Sequence, residues 1–417
     1  MDSIRWDIND FVDWVASDNP RTKYRNLITQ SGGDTSDYPE NALETVFYPT
    51  NKIRLPVNKE NVIKSGLVKE KDSDLILDYI DIDLPESIIT KNQIMMLDIL
   101  ANNNWERPIY FTGGSYEEAE YIWMKDYLQL DGLVYKLVPI KTSIENNPYE
   151  MGRIDSDLMY DIVKKWSWGN SESDEIYHDP ETRKNSISFR GNLSRLSEKL
   201  ISEGEYEKAE EILDLAFSKM PIDYYGYYSL WTPLVKSYYD IGKSEKVREI
   251  VQKLSFKYSD RLSYFSSLEI FNQYDVGEEI ISDIERFRNL IETIQESGER
   301  EILADQIKSF ISSSEQFNYI YGEYDYYISL SNFLVSLLEL NEVEYSMSVI
   351  DKIEEQLIRR VSVFSNIDED EQVYYLEGIT SDINQYSRLI NQIEVYDIDA
   401  YNKYDKNLKD MLARMIE

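Results

Sequence analysis

The residues that most often carry catalysis are nearly absent from this sequence, which has one histidine, His178, and no cysteine. Thiolate nucleophiles, disulfides and cysteine-ligated metals are therefore excluded, and a two-histidine metal site cannot form. His178 could act in a serine–histidine–aspartate arrangement, but it lies in a polar stretch, Asn170 to Pro180, that is typical of an exposed loop. We predict no catalytic residue, no metal site and no cofactor in this chain.

Trp105 and Arg107, which precede the glycines Gly113 and Gly114, could contact a ligand. Their segment resembles a strand that enters a glycine-rich loop. It lacks the lysine and hydroxyl residue of a phosphate-binding loop and the spaced glycines of a dinucleotide site. Trp105 could stack on a sugar and Arg107 could bind an acidic group. The interpretation that we favour is a buried tryptophan beside an arginine that ties a helix to a strand.

Five aromatic residues occur within eight positions at one predicted turn: Tyr224, Tyr225, Tyr227, Tyr228 and Trp231. One packed turn does not bury so many rings, so we predict an exposed, contiguous patch that binds an extended peptide or a saccharide. A second aromatic group, Tyr160, Trp166 and Trp168, precedes the helical part. We favour a core that joins two domains there, and a platform that stacks glycans is the alternative.

The net charge is strongly negative, because 78 acidic side chains stand against 44 basic ones, which gives a formal charge of -34. Such a surface repels phosphate backbones, so nucleic acids and anionic membranes are unfavourable partners. No stretch approaches the roughly 20 apolar residues of a membrane-spanning helix, so we expect no membrane insertion by this chain. Among so many acids any pair could be named as the carboxylates of a glycosidase, and none is nominated.

The first 150 residues alternate between strand-like and helix-like patterns. Short segments rich in β-branched and aromatic residues predict strands at 52–57, 77–84, 107–112 and 132–140. Periodic apolar residues predict one helix within residues 1–20 and others at 61–65 and 91–102. Since strands and helices interleave, we predict an α/β domain with a small mixed sheet over residues 1–150.

Beyond about residue 155 the pattern is helical, and two stretches resemble tetratricopeptide repeats. Gly204 and Gly242 each permit the tight turn of a helix pair, and Ala209 and Ala216 allow the helices to approach closely. We predict an α+β protein. Its α/β domain is followed by an all-α solenoid of tetratricopeptide-like repeats over residues 151–298 and by a helical extension over residues 299–417.

Four segments carry a resemblance to a known family: residues 47–57, 90–111, 127–140 and 159–169. In them the chain resembles the C-terminal soluble region of a large family of bacterial multi-pass membrane proteins that are similar to protein O-mannosyltransferases. The resemblance implies that the catalytic carboxylate lies in a membrane portion that precedes this region. The start at Met1 without a signal segment then favours a piece cut after the last membrane helix. Residues beyond about 298 depart from the family pattern.

The resemblance also implies a function. We expect a non-catalytic, extracytoplasmic (periplasmic) accessory region of a membrane-embedded protein glycosyltransferase. Its partner would be the acceptor protein or the membrane half of the same polypeptide. The alternatives are a stand-alone tetratricopeptide-like scaffold that binds peptides, and a protein that captures glycans.

Overall fold

The computed structural model describes residues 4–48, 50–85, 89–112, 120–142, 151–226, 231–269, 273 and 275–416. The chain divides into two compact units. Unit 1 comprises residues 1–170 and 191–212, and unit 2 comprises residues 171–190 and 213–417. The sequence pattern instead divides the chain into residues 1–150, 151–298 and 299–417. These boundaries differ from those of the two units, and the division stays a prediction.

Unit 1 contains two three-stranded sheets, where the sequence pattern predicts a single small mixed sheet. Their strands are β1 Trp6–Asp7, β2 Lys52–Pro56, β3 Tyr79–Asp83, β4 Tyr110–Phe111, β5 Leu128–Asp131 and β6 Val134–Leu137. In the first sheet β1 is parallel and β3 antiparallel to the central β2. In the second sheet β4 and β5 are both antiparallel to the central β6. The predicted strands correspond to β2, β3, β4 and β6, and β1 and β5 are additional.

The two sheets are buried to different extents. In β2 and β3 of the first sheet buried residues alternate with less buried ones, as in the buried cross-strand pairs Ile53 with Ile82 and Leu55 with Ile80. In the second sheet all four residues of β5 are buried, and one of them is charged. Lys136 Nζ lies 2.9 Å from Oδ2 of Asp131, and both side chains are buried. This pairing compensates two charges that would otherwise be costly inside the unit.

The helices of unit 1 lie between and after the strands. They are α1 Ile8–Ala16, α2 Tyr24–Gln30, α3 Glu40–Leu43, α4 Lys59–Lys64, α5 Lys91–Asn103 and α6 Ser156–Val163, with 3₁₀ segments at Pro20–Thr22, Glu70–Leu75 and Glu120–Tyr127. The carboxylate of Asp7 caps α1 by accepting a hydrogen bond from the backbone of Asn9 at 2.9 Å. Ile8 and Phe11 on that helix are fully buried. The predicted helices at 61–65 and 91–102 correspond to α4 and α5.

Two long helices follow, each of which has residues in both units: α7 Pro180–Ser202 and α8 Tyr206–Lys219. The remaining helices belong to unit 2. They are α9 Thr232–Asp240, α10 Ser244–Ser266, α11 Gly277–Glu296, α12 Leu303–Ser314, α13 Asn318–Tyr321, α14 Glu323–Ile328, α15 Ser331–Glu339, α16 Val343–Ser365, α17 Glu369–Ile393 and α18 Ile398–Ile416, with a 3₁₀ turn at Glu315–Phe317. Every strand of the described residues ends by Leu137, and the described elements after residue 155 are helical. The predicted α+β class is therefore confirmed.

Unit 2 contains an internal duplication. Helices α9 and α15 both have nine residues, α10 and α16 both have 23, and each pair is offset by 99 residues. We call residues 232–314 the first repeat and residues 331–416 the second repeat. Buried residues also recur at this offset, in the pairs Ile280 and Ile379, Phe287 and Tyr386, Leu290 and Leu389, Ile291 and Ile390, and Ile294 and Ile393.

The turn between the first two helices is the same in both repeats. Gly242, with φ +74°, and Asn341, with φ +65°, occupy the left-handed conformation. In each turn two backbone N–H groups donate to carbonyls of the preceding helix, such as Lys243 to Tyr238 at 2.9 Å and Glu342 to Leu337 at 2.8 Å. Gly204, with φ +79°, forms the same turn between α7 and α8. Asparagine is the side chain that best tolerates this conformation after glycine.

Candidate binding site

The aromatic turn was expected to form an exposed patch, and this expectation is wrong for two of its residues. Trp231 is 0% exposed and Tyr225 is 2% exposed. The indole ring of Trp231 stacks on Phe217 at 4.6 Å between ring centroids, and the guanidinium of Arg190 lies 4.7 Å from the indole centroid. Tyr225 donates its hydroxyl to the backbone carbonyl of Ser171 at 3.0 Å. Neighbouring helices supply packing partners for these rings. The number of aromatic residues in one turn therefore does not show how many of them are buried.

Tyr224 is the half-buried member of the turn, and Tyr227 and Tyr228 lie outside the described residues. The ring of Tyr224 stacks on His178, with 5.4 Å between centroids and 13° between planes. Nε2 of His178 lies 2.8 Å from the carbonyl of Ser173. The only histidine of the chain is thus half-buried between a ring and a carbonyl. A binding role for Tyr224, Tyr227 and Tyr228 stays a prediction.

The spacing of tyrosines in this turn recurs at the offset of the duplication. Tyr225, Tyr227 and Tyr228 correspond to Tyr324, Tyr326 and Tyr327. The second set is buried, and burial raises the pKa of all three hydroxyls. Tyr324 donates to the carbonyl of Asp382 at 2.7 Å, and Tyr327 donates to Oε1 of Glu315 at 2.7 Å. These tyrosines act as packing residues with a polar anchor.

Trp105 is 4% exposed, so it is buried as expected, whereas the expected role of Arg107 in tying a helix to a strand stays a prediction. Its indole N–H donates to the carbonyl of Pro56 at 2.8 Å and so ties the end of α5 to β2. Asn104 and Trp105 have φ values of +45° and +60°, a strained conformation that this hydrogen bond helps to hold. Arg107 is exposed. A ligand contact by Arg107 stays a prediction, whereas the face of Trp105 is occupied by the core of unit 1.

The aromatic group before the helical part lies around α6. Trp166 and Trp168 are half-buried and 5.5 Å apart between ring centroids, in an edge-on arrangement. Tyr160 donates its hydroxyl to Oε2 of Glu211 at 2.5 Å, and Lys164 Nζ lies 2.8 Å from the same oxygen. Lys164 and the Tyr160 hydroxyl lower the pKa of Glu211. These contacts join α6 to α8 within unit 1, and the interpretation as a core that joins two domains stays a prediction.

The carboxylate of Asp155 fixes the start of α6. It accepts a hydrogen bond from the backbone of Leu158 at 3.1 Å and pairs with Lys69 Nζ at 2.8 Å. Burial raises the pKa of Asp155, but Lys69 and the Leu158 N–H outweigh it, so the net pKa lies below the usual value. Asp155 therefore stabilises the fold above its unfolded pKa, and this contribution is lost as the pH falls through the folded pKa.

Four consecutive residues at the start of α17 expose apolar side chains, which the sequence pattern did not lead us to nominate. They are Val373, Tyr374, Tyr375 and Leu376, and Tyr374 is 84% exposed. Tyr374 and Tyr375 line a groove of about 570 Å³ together with Arg359 and Val363. The signal was present in the sequence as an apolar run that follows the acidic residues 368–371 after a single glutamine. An exposed group of this size is typical of an interaction surface.

Comparison with known proteins concerns the N-terminal part. Residues 1–158 match the family model of TMEM260-associated domain 2. The match fits the expected resemblance to O-mannosyltransferase-like proteins in general terms. The matched segment ends within α6, before the paired helices begin. No curated protein and no solved structure matches the chain.

Two absences among the described residues bear on the site. None of the described helices combines the length and the apolar character that are needed to cross a bilayer. Across the part of the chain that the structure describes, acidic residues and His178 nowhere form a group of three or more that could hold a metal ion. The surfaces that remain as candidates present aromatic, apolar and charged side chains of the kind that contact proteins.

Proposed function

We propose that this chain is a non-catalytic, extracytoplasmic accessory region of a membrane-embedded protein glycosyltransferase. In this role its helical part holds the acceptor protein, or a neighbouring part of the enzyme, while the membrane portion transfers the sugar. The observation that carries the proposal is the match of residues 1–158 to TMEM260-associated domain 2. The paired helices of unit 2 are consistent with it, because stacked helix pairs form extended surfaces for protein partners.

The test compares a full-length transferase that contains this region with a variant that lacks it, in membranes with a lipid-linked sugar donor. We expect the deletion to raise the KM for a folded protein acceptor by at least about tenfold, which corresponds to the loss of roughly 1.4 kcal/mol of binding. Hydrolysis of the donor by water should stay unchanged, because the chemistry lies elsewhere. Sugar transfer by the purified chain alone would contradict the proposal.

A second candidate function, a stand-alone scaffold that binds peptides, is favoured by the duplication of helices in unit 2. It predicts peptide capture by the chain without any effect on sugar transfer. The glycan-capture alternative loses part of its motivation, because Tyr225 and Trp231 are buried and cannot stack on a sugar from solvent.

A further inference from the structure

Part of the outer face of α11 in the first repeat contacts the segment that leads into the second repeat, residues 318–339, through side chains of both. Eight positions in and just before α11 are half-buried: Val276, Gly277, Ser282, Glu285, Arg286, Glu292, Thr293 and Gln295. Hydrogen bonds that cross this contact include Tyr319 Oη to Gln273 Oε1 at 2.7 Å, Tyr321 Oη to Glu285 Oε1 at 3.4 Å, Arg288 Nη2 to Ser329 Oγ at 3.1 Å and Gln295 Nε2 to Ser336 Oγ at 2.8 Å.

The equivalent face of α17 in the second repeat is exposed. The eight equivalent positions are all exposed: Tyr375, Leu376, Ser381, Asn384, Gln385, Asn391, Gln392 and Glu394. A groove of about 720 Å³ follows this face, lined by Leu376, Ser381 and Arg388 among others. The first repeat thus shows what kind of segment fits a face of this shape, and the second repeat presents such a face to solvent.

One glutamine preserves the geometry of the covered face. Gln273 donates its amide nitrogen to the backbone carbonyl of Leu268 at 2.8 Å, which fixes the side chain so that its oxygen accepts the hydroxyl of Tyr319. Gln372 is the equivalent residue, and its amide nitrogen donates to the backbone carbonyls of Phe364 and Ile367, both at 3.2 Å. The side chain is held in the same way, and none of the described residues brings a donor to its oxygen. A tyrosine hydroxyl is the donor that the first repeat uses at this position.

Two positions on or beside the exposed face gain an arginine and a third gains an aromatic ring, although Gln385 replaces Arg286 and the acidic residues 368–371 precede the face. Arg359 and Arg388 replace Asp260 and Asn289 of the first repeat. Tyr374 replaces Asp275, and the exposed run from Val373 to Leu376 adds apolar area. Arg359 already pairs with Glu355 at 2.6 Å, whereas none of the described residues forms an ion pair with Arg388, so an acidic side chain of a partner can pair with Arg388.

We propose that the outer face of α17 binds a helical segment of a partner protein that presents tyrosine and acidic side chains in the manner of residues 318–330. The partner's leading tyrosine donates to the oxygen of Gln372, and its apolar side covers Tyr375 and Leu376. This is recognition of a helix by a groove, with specificity from one polar contact and affinity from apolar area. The inference does not depend on the proposed link to glycosylation.

The test uses the full chain and a fluorescein-labelled peptide of residues 317–341 as the probe, measured by fluorescence anisotropy. We expect saturable binding that Tyr375→Ser and Leu376→Ser each weaken by roughly tenfold, as for residues at the centre of an interface. Phe256→Ser is the matched control, because Phe256 is a similarly exposed apolar residue on α10, 65% exposed, away from this face. A peptide with Tyr319→Phe should bind about fivefold more weakly, as expected for one lost hydrogen bond.

Three outcomes would overturn the proposal. One is the absence of saturable binding at the highest soluble concentration of the peptide. Another is an equal loss of binding in Phe256→Ser, which would show non-specific adsorption. The third is a dimer of the chain, seen by sedimentation, that Leu376→Ser dissociates, since a second copy would then be the occupant. Circular dichroism of each variant checks that the fold is retained.

Discussion

The first and second repeats of unit 2 share helix lengths, turns and core positions. They differ in the surroundings of two equivalent aspartates, Asp283 and Asp382, and in the exposure of the outer faces of α11 and α17. Asp283 in the first repeat is fully buried between Arg261 and Arg286, at 2.5 and 3.1 Å. Asp382 in the second repeat pairs with Arg360 at 3.1 Å, and a glutamine, Gln385, stands where the second arginine was. The same framework thus supports a closed repeat and a more open one.

The largest effect should come from the shared aromatic position in the core. Phe287 packs between Tyr258 and Phe310, with 5.5 Å between ring centroids in both cases. Phe287→Ala should lower the free energy of unfolding by about 3–5 kcal/mol through lost burial and a cavity. Tyr386→Phe at the equivalent position removes only the hydrogen bond to Glu354 and should cost about 1 kcal/mol. Urea unfolding checks both values, and similar losses would break the comparison.

The aspartates should respond differently to removal of their charge. Asp283→Asn leaves two arginines beside a neutral amide and should cost about 3–5 kcal/mol, as for a broken buried ion pair. Burial raises the pKa of Asp382 although Arg360 opposes this. Its folded pKa lies above its unfolded one, so its contribution to stability is present below the unfolded pKa and is lost as the pH rises through the folded pKa.

The cost of Asp382→Asn should therefore be smaller than that of Asp283→Asn at pH 7, and it should decrease between pH 4 and pH 7. Urea denaturation of wild type and variant at both pH values measures the difference. A cost that grows with pH would show that the ion pair with Arg360 dominates over burial.

The two equivalent turns should give a difference of intermediate size. Gly242 has open space where the methyl group of an alanine would lie but a φ of +74°, so Gly242→Ala should cost about 1–2 kcal/mol from the left-handed backbone alone. Asn341→Gly should change stability by less than about 0.5 kcal/mol, because glycine adopts this conformation readily. Thermal unfolding of the two variants measures both changes in stability. A loss of stability in Asn341→Gly would mean that the asparagine side chain itself stabilises the turn.

The smallest effects should come from the outer faces. Tyr375→Ser should change stability by less than about 0.5 kcal/mol, because Tyr375 is 60% exposed. Val276→Ser at the equivalent, half-buried position should cost about 1 kcal/mol, since it removes covered apolar surface. If both variants lost the same stability, the face of α17 would be as closed as that of α11.

Local sequence patterns predicted most elements because periodicity and turn residues act over short distances. The helix expected at residues 91–102 corresponds to α5, Lys91–Asn103, within one residue. Strand β5 was missed because its four residues, Leu128–Asp131, are too few and too buried to alternate. The duplication was not recognised from the sequence for two reasons. The turn of the second repeat has Asn341 where the first repeat has a glycine. The offset between the repeats is also far longer than the period of a tetratricopeptide repeat.

Burial of the aromatic turn could not be predicted from its own residues. Trp231 is covered by Phe217 and Arg190, which come from two earlier helices. Only the arrangement of those helices shows that the ring of Trp231 already has packing partners within the chain. The exposed run at Val373–Leu376 illustrates the converse, since its composition resembles a core segment and only the fold leaves it open.

Hydroxyl-radical footprinting of the full chain, with and without the peptide of residues 317–341, tests most directly the claim that α17 presents an open docking face. Reactivity of each residue is normalised to the chain unfolded in urea. We predict that Tyr374, Tyr375 and Leu376 react in the free chain almost as in the unfolded one, that Val276 is protected, and that the peptide protects the first three while Phe256 stays unchanged. Protection of Tyr375 and Leu376 in the free chain, or no change on adding the peptide, would contradict the account.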